Sequence, residues 1–158
     1  MNRGSTLFLK IAVFLMGAPI FILCILGFSW LVRNPVNPDY TSILYPIVSG
    51  VYVTAIPYFL ALFQAFKLLT YIDKNEAFSD LSVRALKKIK YCAFAISTVY
   101  VLIMPFFYNL ADKDDAPGVL VIGLVIIFAS LVIAFFAAVL QRLLKEAIEI
   151  KSENDLTV

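Results

Sequence analysis

The chain has 158 residues and a net charge of +2; 62% are hydrophobic and 15% charged, against about 45–50% apolar and about 25% charged in an ordinary soluble domain. That balance excludes a soluble globular protein and predicts no direct nucleic-acid binding. The absence of any histidine removes bis-histidine haem, histidine zinc sites and Ser-His-Asp or Cys-His catalysis together.

Charge-free stretches cover residues 11–32, 40–66, 91–111 and 116–141, and each is long enough for a membrane helix, which needs about 20 apolar residues. The remainder is scattered over two tails and three loops, too little for a separate soluble domain. Residues 1–158 therefore read as a single integral membrane domain with spans at about 9–32, 45–70, 88–110 and 116–141.

Span 1 follows Arg3 and Lys10 and ends Phe28-Ser29-Trp30-Leu31-Val32-Arg33 with no small-x-small cleavage site, so it is a retained span rather than a signal peptide. Pro19 interrupts it, Pro57 interrupts span 2 and Pro105 span 3, each removing a backbone hydrogen bond and predicting a local kink. Pro46 is placed in the first turn of span 2, where a missing N–H costs little. Small residues recur at helical spacing on span 2 (Gly50, Thr54, Pro57, Ala61, Ala65) and on span 4 (Gly123, Ser130, Ala134, Ala138), a pattern that lets helices approach closely inside the molecule.

Between spans 2 and 3, Ser79 reads as an N-cap, with Leu81, Ala85, Leu86 and Ile89 on one side of the following helix and Asp80, Arg84, Lys87 and Lys88 on the other. A helix over 80–109 is about 45 Å long, about 15 Å more than the hydrocarbon core. Span 4 starts at Pro117 after an Asp114-Asp115 cap and continues past Gln141, with Leu140, Leu144, Ala147 and Ile148 on one face and the pairs Arg142–Glu146 and Lys145–Glu149 on the other. Spans 2, 3 and 4 together predict a cytoplasmic rim in which Leu69 and Ile72 meet the two extensions.

Lys and Arg concentrate before span 1, between spans 2 and 3, and after span 4, whereas the other two loops hold Asp39, Asp112, Asp114 and Asp115. The positive-inside rule then puts both termini and the middle loop in the cytoplasm. Trp30, Tyr40 and Tyr45 fall at the predicted outer boundary, Tyr71 and Tyr91 at the inner one. The expected fold is all-α, an up-down-up-down four-transmembrane-helix bundle with cytoplasmic helix extensions.

Lys67, Lys74, Arg84, Lys87, Lys88 and Lys90 make the middle loop the most distinctive polar feature, suited to anionic headgroups or to a protein partner. Asp112, Asp114 and Asp115 lack the spacing and the glycine of a calcium loop and read as a solvated turn. Cys24 is placed about 20 Å deep and Cys92 at the inner boundary, too far apart for a disulfide. No Asp, Glu, Lys, Arg or His lies inside the spans, which counts against proton-coupled transport. Thr54, Gln64, Ser97 and Thr98 are assigned to backbone carbonyls near the kinks. No catalytic, cofactor or metal constellation emerges, so the chain is read as a non-enzymatic interaction protein; the alternative is a small-solute transporter or channel subunit acting as an oligomer.

The run Ala65-Phe66-Lys67-Leu68-Leu69-Thr70-Tyr71-Ile72-Asp73-Lys74-Asn75-Glu76-Ala77-Phe78-Ser79, followed by Leu81-Ser82-Val83-Arg84-Ala85-Leu86-Lys87-Lys88-Ile89-Lys90, resembles the YoaS-like family of small Gram-positive membrane proteins of unknown function. The resemblance implies a bacterial plasma membrane, and, because genes of that family often neighbour one for a small Cro/C1-type helix-turn-helix regulator, a cytosolic regulatory partner. It carries no catalytic residue over.

Overall fold

Backbone amides in hydrocarbon must bond within their own segment, and the four apolar runs meet that demand as helices. In a computed structural model, which describes residues 3–34 and 37–156, these are α1 (Arg3–Arg33), α2 (Thr41–Asp73), α3 (Asp80–Lys113) and α4 (Pro117–Leu156), with a 3-10 turn at Pro38–Tyr40. All four are long and apolar enough to cross a membrane. The helices run on through Pro19, Pro46, Pro57 and Pro105.

Consecutive helices are antiparallel. Lys10 near the start of α1 bonds Asp73 at the end of α2, Tyr40 before α2 bonds Asp114 after α3, and Phe94 of α3 meets Phe135 of α4 edge-on at 6.1 Å. The start of α1 and the end of α4 therefore share the side of the α2–α3 turn, the hairpin end; the opposite, acidic end carries Asp39 and Asp112–Asp115.

Packing is centred on α3. Among the described residues, backbones come within 8 Å only between helices adjacent in the chain. The core is formed by Ile47 of α2 with Tyr100, Ile103 and Phe107 of α3, and Leu120 and Ile127 of α4 pack against it. Two glycines permit the approach. A Cβ on Gly50 would stand 2.9 Å from Ile103 Cδ1, and one on Gly123 2.8 Å from Met104 Sδ. The small-residue stripes thus serve intramolecular packing, with Gly50, Thr54, Gly123, Ser130 and Ala134 all buried; on α4, Ala137 is buried more deeply than the expected Ala138.

α1 is different. It packs only against α2, on the flank away from the core, and Thr6 is its single buried residue among those described. Tyr52 and Tyr58 of α2 donate their hydroxyls to the Cys24 and Met16 carbonyls, both at 2.7 Å, and Phe14–Phe66 and Phe21–Phe59 meet edge to face at 5.6 and 6.0 Å. The up-down-up-down order is as expected, but α1 lies on the outer side of α2 and has no backbone approach to α4.

Both turns after the even-to-odd and odd-to-even crossings at α2–α3 and α3–α4 end their helices the same way. Asn75 (φ 62°) and Asp115 (φ 52°) take the left-handed conformation one residue past the cap. The Glu76 and Ala116 N–H groups then reach back to the Tyr71 and Ala111 carbonyls at 2.7 and 2.8 Å, the Schellman closure in which Asn or Asp replaces glycine. Asp114 and Asp115 therefore terminate α3 rather than cap α4. The first turn of α2 also differs from expectation: the Asn37 side chain accepts the Asp39 N–H at 3.2 Å and Thr41 Oγ1 donates to the Pro38 carbonyl at 3.0 Å, starting the helix at Thr41 and leaving Pro46 a turn inside.

At the acidic end the two outer turns are clasped. The Tyr40 hydroxyl donates to Asp114 Oδ1 at 2.5 Å, Lys113 Nζ stands 4.4 Å from the Tyr40 ring centroid, and the same ammonium bonds the Asp39 carbonyl. The hydrogen bond to the Asp114 carboxylate, then partial desolvation, then the charges of Asp114 and Asp39 raise the Tyr40 pKa above its ordinary 10.0. A raised phenol pKa means that the clasp is complete at neutral pH and is lost only as pH climbs through the folded value. In a difference titration of wild type against Tyr40→Phe, the phenolate should appear above 10.0, and Asp114→Asn should lower that midpoint; a midpoint indifferent to Asp114 would contradict the clasp. In the core, Gly50→Val should lower stability by about 1–3 kcal/mol through overpacking and Ile103→Ala should restore part of the loss, whereas Gly118→Ala, with nothing within 4 Å, should leave the thermal midpoint in detergent nearly unchanged.

Candidate functional site

The hairpin end gathers most of the chemistry that the sequence offers. Here α3 begins well outside the apolar run, and its inward face is Ser82, Val83, Ala85 and Leu86, all buried, against Leu69 of α2, also buried. Leu81, expected on that face, is 45% exposed, and Ser82 takes its place by donating to the Glu76 carbonyl at 3.3 Å. Ser79 sits at the N-cap position as expected, but its hydroxyl turns back to the Glu76 carbonyl at 2.5 Å instead of capping α3. One carbonyl thus accepts two hydroxyls and pins the turn to the first turn of the helix.

On this scaffold Arg84, Lys87 and Lys88 are exposed at i, i+3 and i+4 of one helix face. Lys74 is exposed at the cap of α2. Lys67 and Lys90 are half-buried and lie over aromatic rings, Lys67 at 4.8 Å from Phe63 and Lys90 at 4.9 Å from Tyr91; Lys87 also comes within 6.0 Å of the Tyr91 ring centroid. Among the described residues none of these six cations has a carboxylate within ion-pair distance. Structure therefore places all six at one end of the molecule and leaves their charge uncompensated by close contact.

The α4 extension completes the rim. It continues to Leu156, with Leu144, Ala147 and Ile148 half-buried as expected, whereas Leu140 is 51% exposed. Arg142 and Glu146 pair at 3.6 Å with highly exposed side chains, a geometry that contributes little. Within the spans, Thr54, Thr98 and Ser130 donate to carbonyls three or four residues back at 2.8 Å each, so these hydroxyls satisfy their own helices. Cys24 and Cys92 are both free thiols.

A polar connection between α1 and α2 was not legible from the sequence. Lys10 Nζ lies 2.7 Å from Asp73 Oδ2, the buried Thr6 hydroxyl donates to Asp73 Oδ1, and the Lys10 ammonium stands 5.4 Å from the Phe66 ring centroid. The two charged side chains are only 21% and 23% exposed, so the pair is shielded from solvent and salt more than a surface pair would be. In sequence Lys10 and Asp73 are 63 positions apart; Lys10 reads as a topology charge, Asp73 falls in the middle-loop run, and no local pattern links them.

Removing one partner should loosen α1 without unfolding the rest. Asp73→Asn is expected to cost about 1.5–3 kcal/mol in α1 docking, the range for hydrogen bonds to charged groups. It should appear as faster proteolysis in the first turns of α1 with α3 and α4 unaffected. The exchange Lys10→Asp with Asp73→Lys should recover most of the protection. Equal protection in Asp73→Asn and wild type would show that the pair does not hold α1.

Comparison with known proteins fits this architecture. Residues 32–158 match the family described as "Protein of unknown function (DUF2975)", a region that holds all of α2, α3 and α4 but little of α1. Along its whole length the chain is similar to the "Uncharacterized membrane protein YoaS" of Bacillus subtilis (strain 168), at 63% identity over 164 residues with 100% of both chains covered. No solved structure matches. With four membrane-length helices and a relative described as a membrane protein, this is an all-α multi-pass membrane protein, and it belongs to the DUF2975 family.

Proposed function

We propose that the chain is a non-enzymatic membrane protein that acts by interaction, with the hairpin end in the cytoplasm and the rim from Lys67 to Lys90 as the surface that binds a cytosolic regulator or a second membrane protein. The observation that carries the reading is the rigid presentation of Arg84, Lys87 and Lys88 on one face of α3, exposed and without carboxylate partners. Buried Ser82, Val83, Ala85 and Leu86 lock the other face of the same turns. A helix whose backbone is already ordered loses little further backbone entropy on binding, and complementary charge speeds encounter and rejects like-charged surfaces.

Signal transmission would run through helix packing. Pro57 and Pro105 leave the Val53 and Val101 carbonyls without their usual N–H donors, so a small change in packing at either position can be passed along α2 or α3 to the rim. Anionic headgroups compete for the same cations at about 1 kcal/mol per Lys or Arg. Retrieval with the full chain from native membranes separates the two. A protein partner should be captured by wild type and lost with Arg84→Gln, Lys87→Gln and Lys88→Gln combined, while four-helix content is kept. An identical set of proteins from wild type and the triple variant would overturn the reading.

A further inference from the structure

The seam between α1 and α2 has the outline of an amphiphile. Away from the core, Phe14, Gly17 and Phe21 of α1 and Phe59, Phe63 and Phe66 of α2 line an open, almost wholly apolar groove of about 430 Å³, within the range of about 300–1,000 Å³ typical of small-ligand sites. At its hairpin end two ammonium groups stand over the lining rings, Lys67 at 4.8 Å from Phe63 and Lys10 at 5.4 Å from Phe66. One step further along the same seam is a recess of about 400 Å³ lined by Leu7 and by the charged Lys10, Asp73 and Lys74. Past the groove's other end the seam closes between Gly27 and Tyr52, where a Cβ on Gly27 would stand 3.3 Å from the Tyr52 hydroxyl.

The dimensions fit one leaflet. From residue 13 to residue 21 a helix rises about 12 Å, and half of a hydrocarbon core is about 15 Å. The groove thus runs from the headgroup boundary at Lys10 to near the midplane and stops. Charge decides the headgroup: among the described residues the recess sets Lys10 and Lys74 against one carboxylate, Asp73, which Lys10 and Thr6 already engage, and Lys67 adds a further cation over the neighbouring Phe63 ring. A zwitterionic headgroup gains little from that excess, and an anionic one gains at each unpaired lysine.

We propose that the α1–α2 seam is a binding site for one anionic phospholipid of the leaflet at the hairpin end, with an acyl chain in the aromatic groove and the phosphate between Lys67 and Lys74. The site draws on the seam rather than on Arg84, Lys87 and Lys88, so it stands independently of the rim as a protein-binding surface. Gly17 is part of the device: a Cβ there would stand 3.2 Å from Leu62 Cδ1, so its absence sets the closeness of the two helices and the floor of the groove. Bound lipid would in turn brace α1, whose polar attachments to α2 include the Lys10–Asp73 pair and two tyrosine hydroxyls.

Native mass spectrometry of the full chain, released from detergent micelles containing equal phosphatidylglycerol and phosphatidylcholine, tests the site. The expected result is retention of one phosphatidylglycerol in preference to phosphatidylcholine. Lys67→Gln should reduce that preference about fivefold, Ala18→Phe, which fills the groove, should reduce retention of both lipids, and Lys151→Gln, with the same charge change on the exposed tail of α4, should alter neither. Helix content and thermal midpoint of each variant show that it remains folded. Equal retention of the two lipids, a Lys151→Gln effect as large as that of Lys67→Gln, or a dimer that Ala18→Phe dissociates would each overturn the proposal, the last by naming a second copy of the chain as the occupant.

Discussion

Inside a bilayer, helices gain nothing from leaving water, so association depends on how closely two backbones can come and on which polar groups meet across the contact. In this chain the closest approaches converge on α3, through Gly50 of α2 against Ile103 and Gly123 of α4 against Met104. The stacked pair Tyr100 and Phe107, at 6.3 Å, and Ile47 fill the space between. The remaining features follow from that arrangement. Because α3 is held on both sides, its extension beyond the apolar run is held too, and the turn at Lys74–Ser79 becomes a fixed platform rather than a connector.

α1 obeys the same physics with a different outcome. It offers Gly17 and Gly27 to α2 but no second small-residue face, and nearly all of its apolar side chains remain exposed to the surrounding medium. Its attachment is therefore local to α2: edge-to-face ring contacts and two hydroxyl-to-carbonyl bonds along the span, and the Lys10–Asp73–Thr6 group at the end. The DUF2975 match, which begins at residue 32, divides the chain at the same place as the packing does. A helix fastened in this way can be braced or released by what binds beside it, whereas the three helices around α3 form the stable frame.

Much of this was legible in the sequence, for reasons that are local. Charge-free runs of sufficient length fix the spans, small residues at helical spacing mark Gly50, Thr54, Gly123, Ser130 and Ala134 as inward, and Ser79 marks the start of α3. What escaped depends on relations between distant positions. Nothing in the pattern near Lys10 says that Asp73 will stand 2.7 Å away, and α1's place on the flank is decided by what α2, α3 and α4 bury without it. Local rules also misdirect where two readings compete. Asp114-Asp115 before Pro117 looks like a helix start, yet the left-handed conformation that Asp115 adopts closes α3 instead. Leu81 fits an apolar stripe, but the fully buried Ser82 wins the inward position because its hydroxyl has the Glu76 carbonyl to bond. Of the candidate site, the six basic residues were visible as charges, while their common surface and the α1–α2 seam needed three dimensions.

Among the described residues α2, α3 and α4 form a frame around α3, and α1 is attached through α2 alone. Disulfide cross-linking in native membranes addresses it most directly. With Cys24 and Cys92 replaced by alanine, cysteines introduced in pairs should join α1 to α2 within one chain, most readily at Gly17 with Leu62, where a Cβ on Gly17 would lie 3.2 Å from Leu62 Cδ1. Pairs between α1 and α4, placed at matching depths, should give no intrachain product. Efficient α1–α4 cross-links within single chains would mean a closed bundle and would contradict the account.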